Sequence, residues 1–92
     1  MKITILGCGT SAGTPSVGNN WGNCDSNNLK NYRTRSSIIV NKGLINILVD
    51  PSPDLRIQSL KNNISKLDAV LFTHEHADHC HGIDDLRFFK KN

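Results

Sequence analysis

Apolar positions gather in a few short stretches of this chain, and their spacing predicts its elements. Residues 2–6, Lys-Ile-Thr-Ile-Leu, are apolar or β-branched apart from the lysine and stop at Gly7, which predicts a first strand. From Gly7 to Asn31 neither a period of 2 nor one of 3.6 holds, and Gly, Asn, Ser, Thr and Pro dominate. A long loop is expected there, and a connection of that length in a compact domain usually lies against a site. Ser36–Val40 and Ile45–Asp50 follow as two short strands. Between them, Asn41-Lys42-Gly43 carries a glycine able to take positive φ, which predicts a hairpin.

After Asp50, Pro51-Ser52-Pro53 ends the strand. Asp54 to Asn63, followed by Ile64, shows Leu55, Ile57, Leu60 and Ile64 on a polar background, approximating a helical stripe. Ser52 is the expected N-cap and Pro53 the first helical residue. Leu67 to Thr73 reads as a buried strand that delivers the chain into His74, and from Asp78 the series Ile83, Leu86, Phe89 predicts another helix.

Length and composition bound the possibilities. With 92 residues, 37% hydrophobic, the chain has room for one small core. A chain of this size buries only ~60–65% of its unfolded surface, so metal or partner chains would add usefully to its stability. The longest apolar runs, Ile38–Val40 and Ile47–Val49, are far too short to span a bilayer, so no membrane role is expected. The first seven residues lack an apolar h-region and a cleavage site, so no signal peptide is expected and the location predicted is cytoplasmic. Cys8, Cys24 and Cys80 are odd in number and widely spaced, as free thiols would be. A net charge of +3 mildly favours an anionic ligand. Five scattered aromatics without a basic cluster do not favour nucleic acid as the partner, though they leave it open.

All four histidines fall within eight positions, in Thr73-His74-Glu75-His76-Ala77-Asp78-His79-Cys80-His81. On an extended chain, i and i+2 project to one side, so His74 and His76 can face one cation. As the chain turns, Asp78 and His79 can address a second cation beside it. Two adjacent metals hold a hydroxide and stabilise a leaving oxygen, which suits hydrolysis. A metal-scavenging tract without catalysis is the plainer reading of clustered His. Cys80 and His81 turn away on the next helix and are expected to pack or face solvent, and Glu75 to be structural.

Several segments together carry a family resemblance: Gly7-Cys8-Gly9-Thr10-Ser11-Ala12-Gly13-Thr14-Pro15 after a strand, a strand ending in Asp50, and His74-x-His76-x-Asp78-His79. The chain resembles the start of a metallo-β-lactamase-fold hydrolase. With Arg33-Thr34-Arg35-Ser36-Ser37 and His81-Gly82-Ile83-Asp84-Asp85-Leu86-Arg87, it resembles the phosphoribosyl 1,2-cyclic phosphate phosphodiesterase branch of that family. The resemblance implies an α/β (α+β) fold, the N-terminal half of an αββα sandwich with a mixed sheet and flanking helices. It implies one partial domain over residues 1–92.

By that resemblance, two divalent ions, zinc or manganese, are the cofactors. His74 and His76 belong to the first, Asp78 and His79 to the second, and Asp50 and Asp78 are the acidic residues of the catalytic machinery. Asp50 would orient a ligand by hydrogen bonding, or else cap the following turn. A cyclic phosphodiester is the implied substrate, attacked by a hydroxide held between the metals; RNA ends and thioesters are reachable by the same chemistry. Arg33, Arg35, Arg56 or Arg87 could hold a phosphate, and none is singled out. Two features depart from the branch. Only Cys24 remains where a structural zinc clasp would need more cysteines, and the chain stops thirteen residues after His79, before a further His, a bridging Asp and a last His. A non-catalytic remnant that needs a C-terminal half, or self-association, is therefore the competing expectation. A Rossmann reading of Gly7-x-Gly9-x-x-Ala12 fails because Thr14-Pro15, not a helix, follows.

Overall fold

The computed structural model describes residues 1–90. Four strands form one sheet in the order β1-β2-β3-β4: β1 (Lys2–Gly7), β2 (Ser37–Lys42), β3 (Ile45–Val49) and β4 (Ala69–Leu71). The first two pairings are antiparallel and β3–β4 is parallel, giving the mixed sheet expected. A parallel pair cannot be joined by a tight turn, and α1 (Leu55–Lys61) makes the crossover. A short helix α2 (Ala77–Cys80) follows β4, and 3₁₀ helices occupy Leu29–Asn31 and Ile83–Phe88.

The strands alternate cleanly. Leu48 pairs with Ile39 and with Val70, and Ile39 with Thr4, on the face that meets the helices. There Leu6, Ile39, Leu48, Leu55 and Leu67 are buried, with Ile64, Val70, Leu86 and Phe89 packed against them. The opposite face is apolar throughout. One ladder runs Ile5–Ile38–Val49–Leu71 and the next Ile3–Val40–Ile47–Ala69. Ile3, Ile5 and Leu71 on that face are each more than half exposed.

Several expectations are corrected. The hairpin strand runs on through Asn41 and Lys42, so that Lys42 pairs with Ile45 and the turn is Gly43-Leu44, with Gly43 at φ 60°. Helix α1 buries Leu55, Gln58 and Ser59, whereas Ile57 and Leu60 are exposed. Asp54, not Ser52, is its N-cap; the Ser52 hydroxyl instead accepts from the Asp54 N–H and donates to Gln58 Oε1. Strand β4 is a three-residue edge with Leu71 exposed, not a buried strand, because it lies at the end of the sheet and its outer face meets no helix. Beyond α2, the expected helix is 3₁₀, and it packs Leu86 and Phe89 inward while Ile83 is exposed.

Gly7 closes β1, and residues 8–31 are loop apart from their last 3₁₀ turn, held by backbone bonds within the loop and by others to Arg33 and Thr34. Gly9 N–H donates to Thr34 O at 2.7 Å, and Thr14 and Arg33 exchange bonds of 2.9 and 2.8 Å. No helix among the described residues is long and apolar enough to cross a membrane.

Candidate metal centre

Parallel pairing of β3 with β4 brings the C-terminal ends of both strands to one edge, and the site grows from that edge. Val49 is level with Leu71, and the Asp50 N–H donates to Leu71 O at 2.9 Å, so Asp50 comes beside Thr73. Asp50 then leaves the strand in the left-handed region, at φ 63°, a conformation Asp tolerates better than most residues. That turn sends the backbone into Pro51 and leaves the carboxylate facing the end of β4. Only 4% of Asp50 is exposed.

Three donors meet this carboxylate. Thr73 N–H reaches Oδ1 at 2.8 Å, the Thr73 hydroxyl reaches Oδ2 at 2.7 Å, and His79 Nδ1 lies 2.7 Å from the same Oδ2. Burial alone would raise the pKa of Asp50, but the bonds from Thr73 and His79 outweigh it and hold the carboxyl below its ordinary value. The carboxylate's contacts thus run to Thr73 and His79, across the sheet end, and not to the turn that follows Asp50.

His74, Glu75 and His76 end the irregular segment, residues 72–76, between β4 and α2, and His76 is the N-cap of α2 in extended geometry. The first turn is closed by His79 N–H donating to His76 O at 2.9 Å. That turn carries His79 back over His74, with ring centroids 4.1 Å apart; the His76 ring lies 4.5 Å from His74, nearly edge-on. Asp78 Oδ2 is 3.1 Å from His79 Nε2. All four expected ligands thus fall around one strand end, with His79 linking Asp50 to Asp78. The His74 ring lies against both other imidazoles, and Asp78 lies beside His79.

Gly82 makes this placement possible. Its N–H donates to Pro51 O at 2.9 Å, and a Cβ there would overlap the Ser52 carbonyl, so the chain after α2 lies directly on the turn after Asp50. The sequence singled out neither Gly82 nor Thr73. The signal for Thr73 was available: a hydroxyl residue just before the first histidine, at a strand end that parallel pairing sets beside Asp50.

The donor types fit a divalent cation. Imidazole with carboxylate suits zinc and manganese. Protonated on Nδ1 alone, His79 would present its Nε2 lone pair to Asp78 Oδ2, as two ligands of one cation do; protonated on both nitrogens, it would pair with both carboxylates. The 3.1 Å separation of Nε2 and Oδ2 matches the ~3.0–3.4 Å between neighbouring donors that each bind one ion at ~2.1 Å. Among the described residues, no three His, Cys, Asp or Glu side chains close around a common point, so the described ligand set is a pair with neighbours.

Other candidates lie elsewhere. Cys80 Sγ, half-buried, donates to Glu75 O at 3.3 Å, and His81 is the exposed C-cap of α2. Arg35 is paired with Asp54 at 3.4 Å and Arg87 with Asp84 at 3.3 Å. Arg33 Nη1 lies 3.7 Å from Cys8 Sγ, and Arg56 lines a cleft with Asp85 and Phe88.

A model of the β-lactamase superfamily domain matches residues 45–92, the half that carries Asp50 and the histidines. An octanoyltransferase of Porphyromonas gingivalis (strain ATCC BAA-308 / W83) is 49% identical over 88 residues, 95% of this chain and 18% of that protein. A diphosphatase from the PhnP family has a TM-score of 0.83 at 41% identity, over 92% of this chain and 34% of its own. Zinc-bound PqqB from Methylobacterium extorquens has a TM-score of 0.75 at 28% identity, over 99% of this chain and 36% of its own. YhfI from Bacillus subtilis, a metallo-β-lactamase fold protein, shares the fold with a TM-score of 0.63 at 24% identity, over 94% of this chain and 29% of its own. The chain therefore spans about a third of the length of these structures and about a fifth of the curated relative.

Proposed function

The chain belongs to the β-lactamase superfamily of metal-dependent hydrolases with the metallo-β-lactamase fold, and on that footing we propose that it carries the first metal-binding segment of a hydrolase of phosphate esters. The observation that carries the reading is the His79 pair of contacts: Nδ1 on Asp50 at 2.7 Å and Nε2 beside Asp78 at 3.1 Å. His74, His76, Asp78 and His79 would hold a zinc or manganese ion, or two. When bound, such an ion supplies a Lewis acid that polarises a substrate oxygen and acidifies water at neutral pH.

The chain's own residues do the positioning. Asp50 fixes the ring of His79, Thr73 ties Asp50 to the segment before His74, and the close Gly82–Pro51 approach holds α2 against the turn. A phosphate ester is favoured as substrate by the 41% identity to a diphosphatase and by the chain's net charge of +3. The 49% identity to an octanoyltransferase supports a second reading, hydrolysis of an acyl ester or thioester. The setting proposed is the cytoplasm, with the rest of a hydrolase domain as the partner that completes the ligand set.

The test is metal content together with hydrolysis of bis(p-nitrophenyl) phosphate and of an octanoyl thioester. Both are measured for the chain alone and with the remainder of a relative's hydrolase domain supplied. Metal-dependent phosphodiester cleavage in the completed domain is expected. Thioester cleavage alone would favour the second reading, and bound metal without turnover of either would make the chain a binding segment rather than a catalyst.

A further inference from the structure

Thr73 makes three contacts that, for a neutral His74, admit one arrangement of protons. Its backbone N–H donates to Asp50 Oδ1 at 2.8 Å, and its hydroxyl oxygen lies 2.7 Å from Asp50 Oδ2 and 2.8 Å from Nδ1 of His74. A hydroxyl has one proton to donate and two lone pairs with which to accept, whereas an ionised carboxylate only accepts. At 2.7 Å the Thr73 proton must lie toward Asp50, because the reverse would set lone pair against lone pair across the shortest contact. The Thr73 oxygen can then only accept from His74, which requires the ring proton of His74 to be on Nδ1.

We propose that Thr73 is a positioning residue that fixes His74 as its Nδ1–H tautomer and leaves Nε2 as the free lone pair. In water a neutral histidine favours the proton on Nε2, so the contact reverses the default. Asp50 imposes the same choice on His79 directly, through Oδ2 and Nδ1 at 2.7 Å. One buried carboxylate thus sets the tautomer of two histidines, one by contact and one through a hydroxyl. In both rings Nδ1 is the nitrogen held and Nε2 the one left to accept, the pattern by which metal proteins orient imidazole ligands. The tautomer follows from the hydrogen bonds alone; its consequence for a cation rests on the metal reading above.

The experiment uses the full chain, metal-free and labelled with ¹⁵N-histidine, at a pH where imidazole is neutral. Long-range ¹H–¹⁵N spectra separate protonated from bare ring nitrogens. His74 is expected as Nδ1–H in the wild type and in Thr73→Ser, and to move toward Nε2–H in Thr73→Val. In competition with a chromophoric chelator, Thr73→Val is expected to lose ~10-fold or more in zinc affinity while Thr73→Ser does not. An Nε2–H His74 in the wild type, or an unchanged tautomer in folded Thr73→Val, overturns the proposal. If the valine variant does not fold, the wild-type and serine spectra decide. A wild type that holds no zinc but shows the Nδ1–H tautomer sinks the metal reading and upholds this one.

Discussion

Oδ2 of Asp50 lies 2.7 Å from Nδ1 of His79, across twenty-nine positions of sequence, and this contact joins the end of β3 to the helix after β4. Asp50→Asn isolates the charge, because Asn tolerates the same left-handed backbone at φ 63°. An amide has one oxygen for three donors and turns an NH₂ toward at least one of them. A loss of about 1–3 kcal/mol at neutral pH is expected from urea unfolding. The difference has a pH signature. A carboxyl whose pKa is lowered on folding contributes fully above its unfolded value, ~3.9, and that contribution is lost as pH falls through the lower folded value. The gap between wild type and Asp50→Asn should therefore narrow as pH falls from 5 to 3. A gap that persists there would mean that the carboxylate's charge is not what stabilises the turn.

The strands and the histidine cluster were legible in the sequence because each rests on local pattern. Lys2–Leu6 and Ile45–Val49 alternate against one core face, and four histidines in eight positions have few innocent explanations. What stayed hidden depends on pairing between distant segments. Gln58 looked like a polar interruption of the α1 stripe. Its side chain is buried because Nε2 donates to Arg35 O and Thr34 Oγ1 while Oε1 accepts from Ser52, three partners from two other segments. Ile57 and Leu60 carried the apolar signal and are exposed, since the face of α1 toward the sheet is set by Leu55 and Gln58. Thr73 is of the same kind: a hydroxyl residue before the first histidine is visible in the sequence, but its role depends on β4 lying parallel to β3, which no local spacing reveals.

Neighbouring residues of β1 should respond oppositely to substitution. Leu6 is buried against the helical layer, whereas Ile5 is 66% exposed on the open apolar face. Leu6→Ala is expected to cost about 2–5 kcal/mol. Ile5→Lys should stay within ~1 kcal/mol and, by charging an exposed apolar ladder, reduce self-association. Urea unfolding and sedimentation of the two variants check both halves. A large loss of stability from Ile5→Lys would show that something covers this face in solution.

Gly82 offers a structural test of the site that touches no ligand. An alanine Cβ would overlap the Ser52 carbonyl and press on Pro51 O, 2.9 Å away, and backbone on both sides leaves little to give. Overpacking of this kind typically costs about 1–3 kcal/mol. Because the displaced chain is the one that holds α2, the shift should appear at the histidines. Gly82→Ala is expected to move the ring resonances of His79 and weaken zinc binding, while Gly18→Ala, strained by its φ of 88° but with nothing within 4 Å of the new Cβ, leaves both unchanged. Equal effects from the two variants would detach Gly82 from the site.

Zinc itself supplies the remaining test, through mass action. A ligand that binds only the folded state stabilises it by RT ln(1 + [L]/Kd), about 2.7 kcal/mol at a hundredfold excess over Kd, which raises the Tm of a domain this small by roughly 10 °C or more. Zinc should produce that shift, a chelator should reverse it, and magnesium should not reproduce it, because imidazole is a poor ligand for so hard an ion. His79→Ala should abolish the shift, since it removes the ring that faces both Asp50 and Asp78. His81→Ala should leave it intact, since His81 caps α2 in solvent. That contrast separates a built site from a tract of histidines that binds metal by number alone: in a scavenging tract any histidine substitutes for another, and the two variants would lose zinc to the same degree.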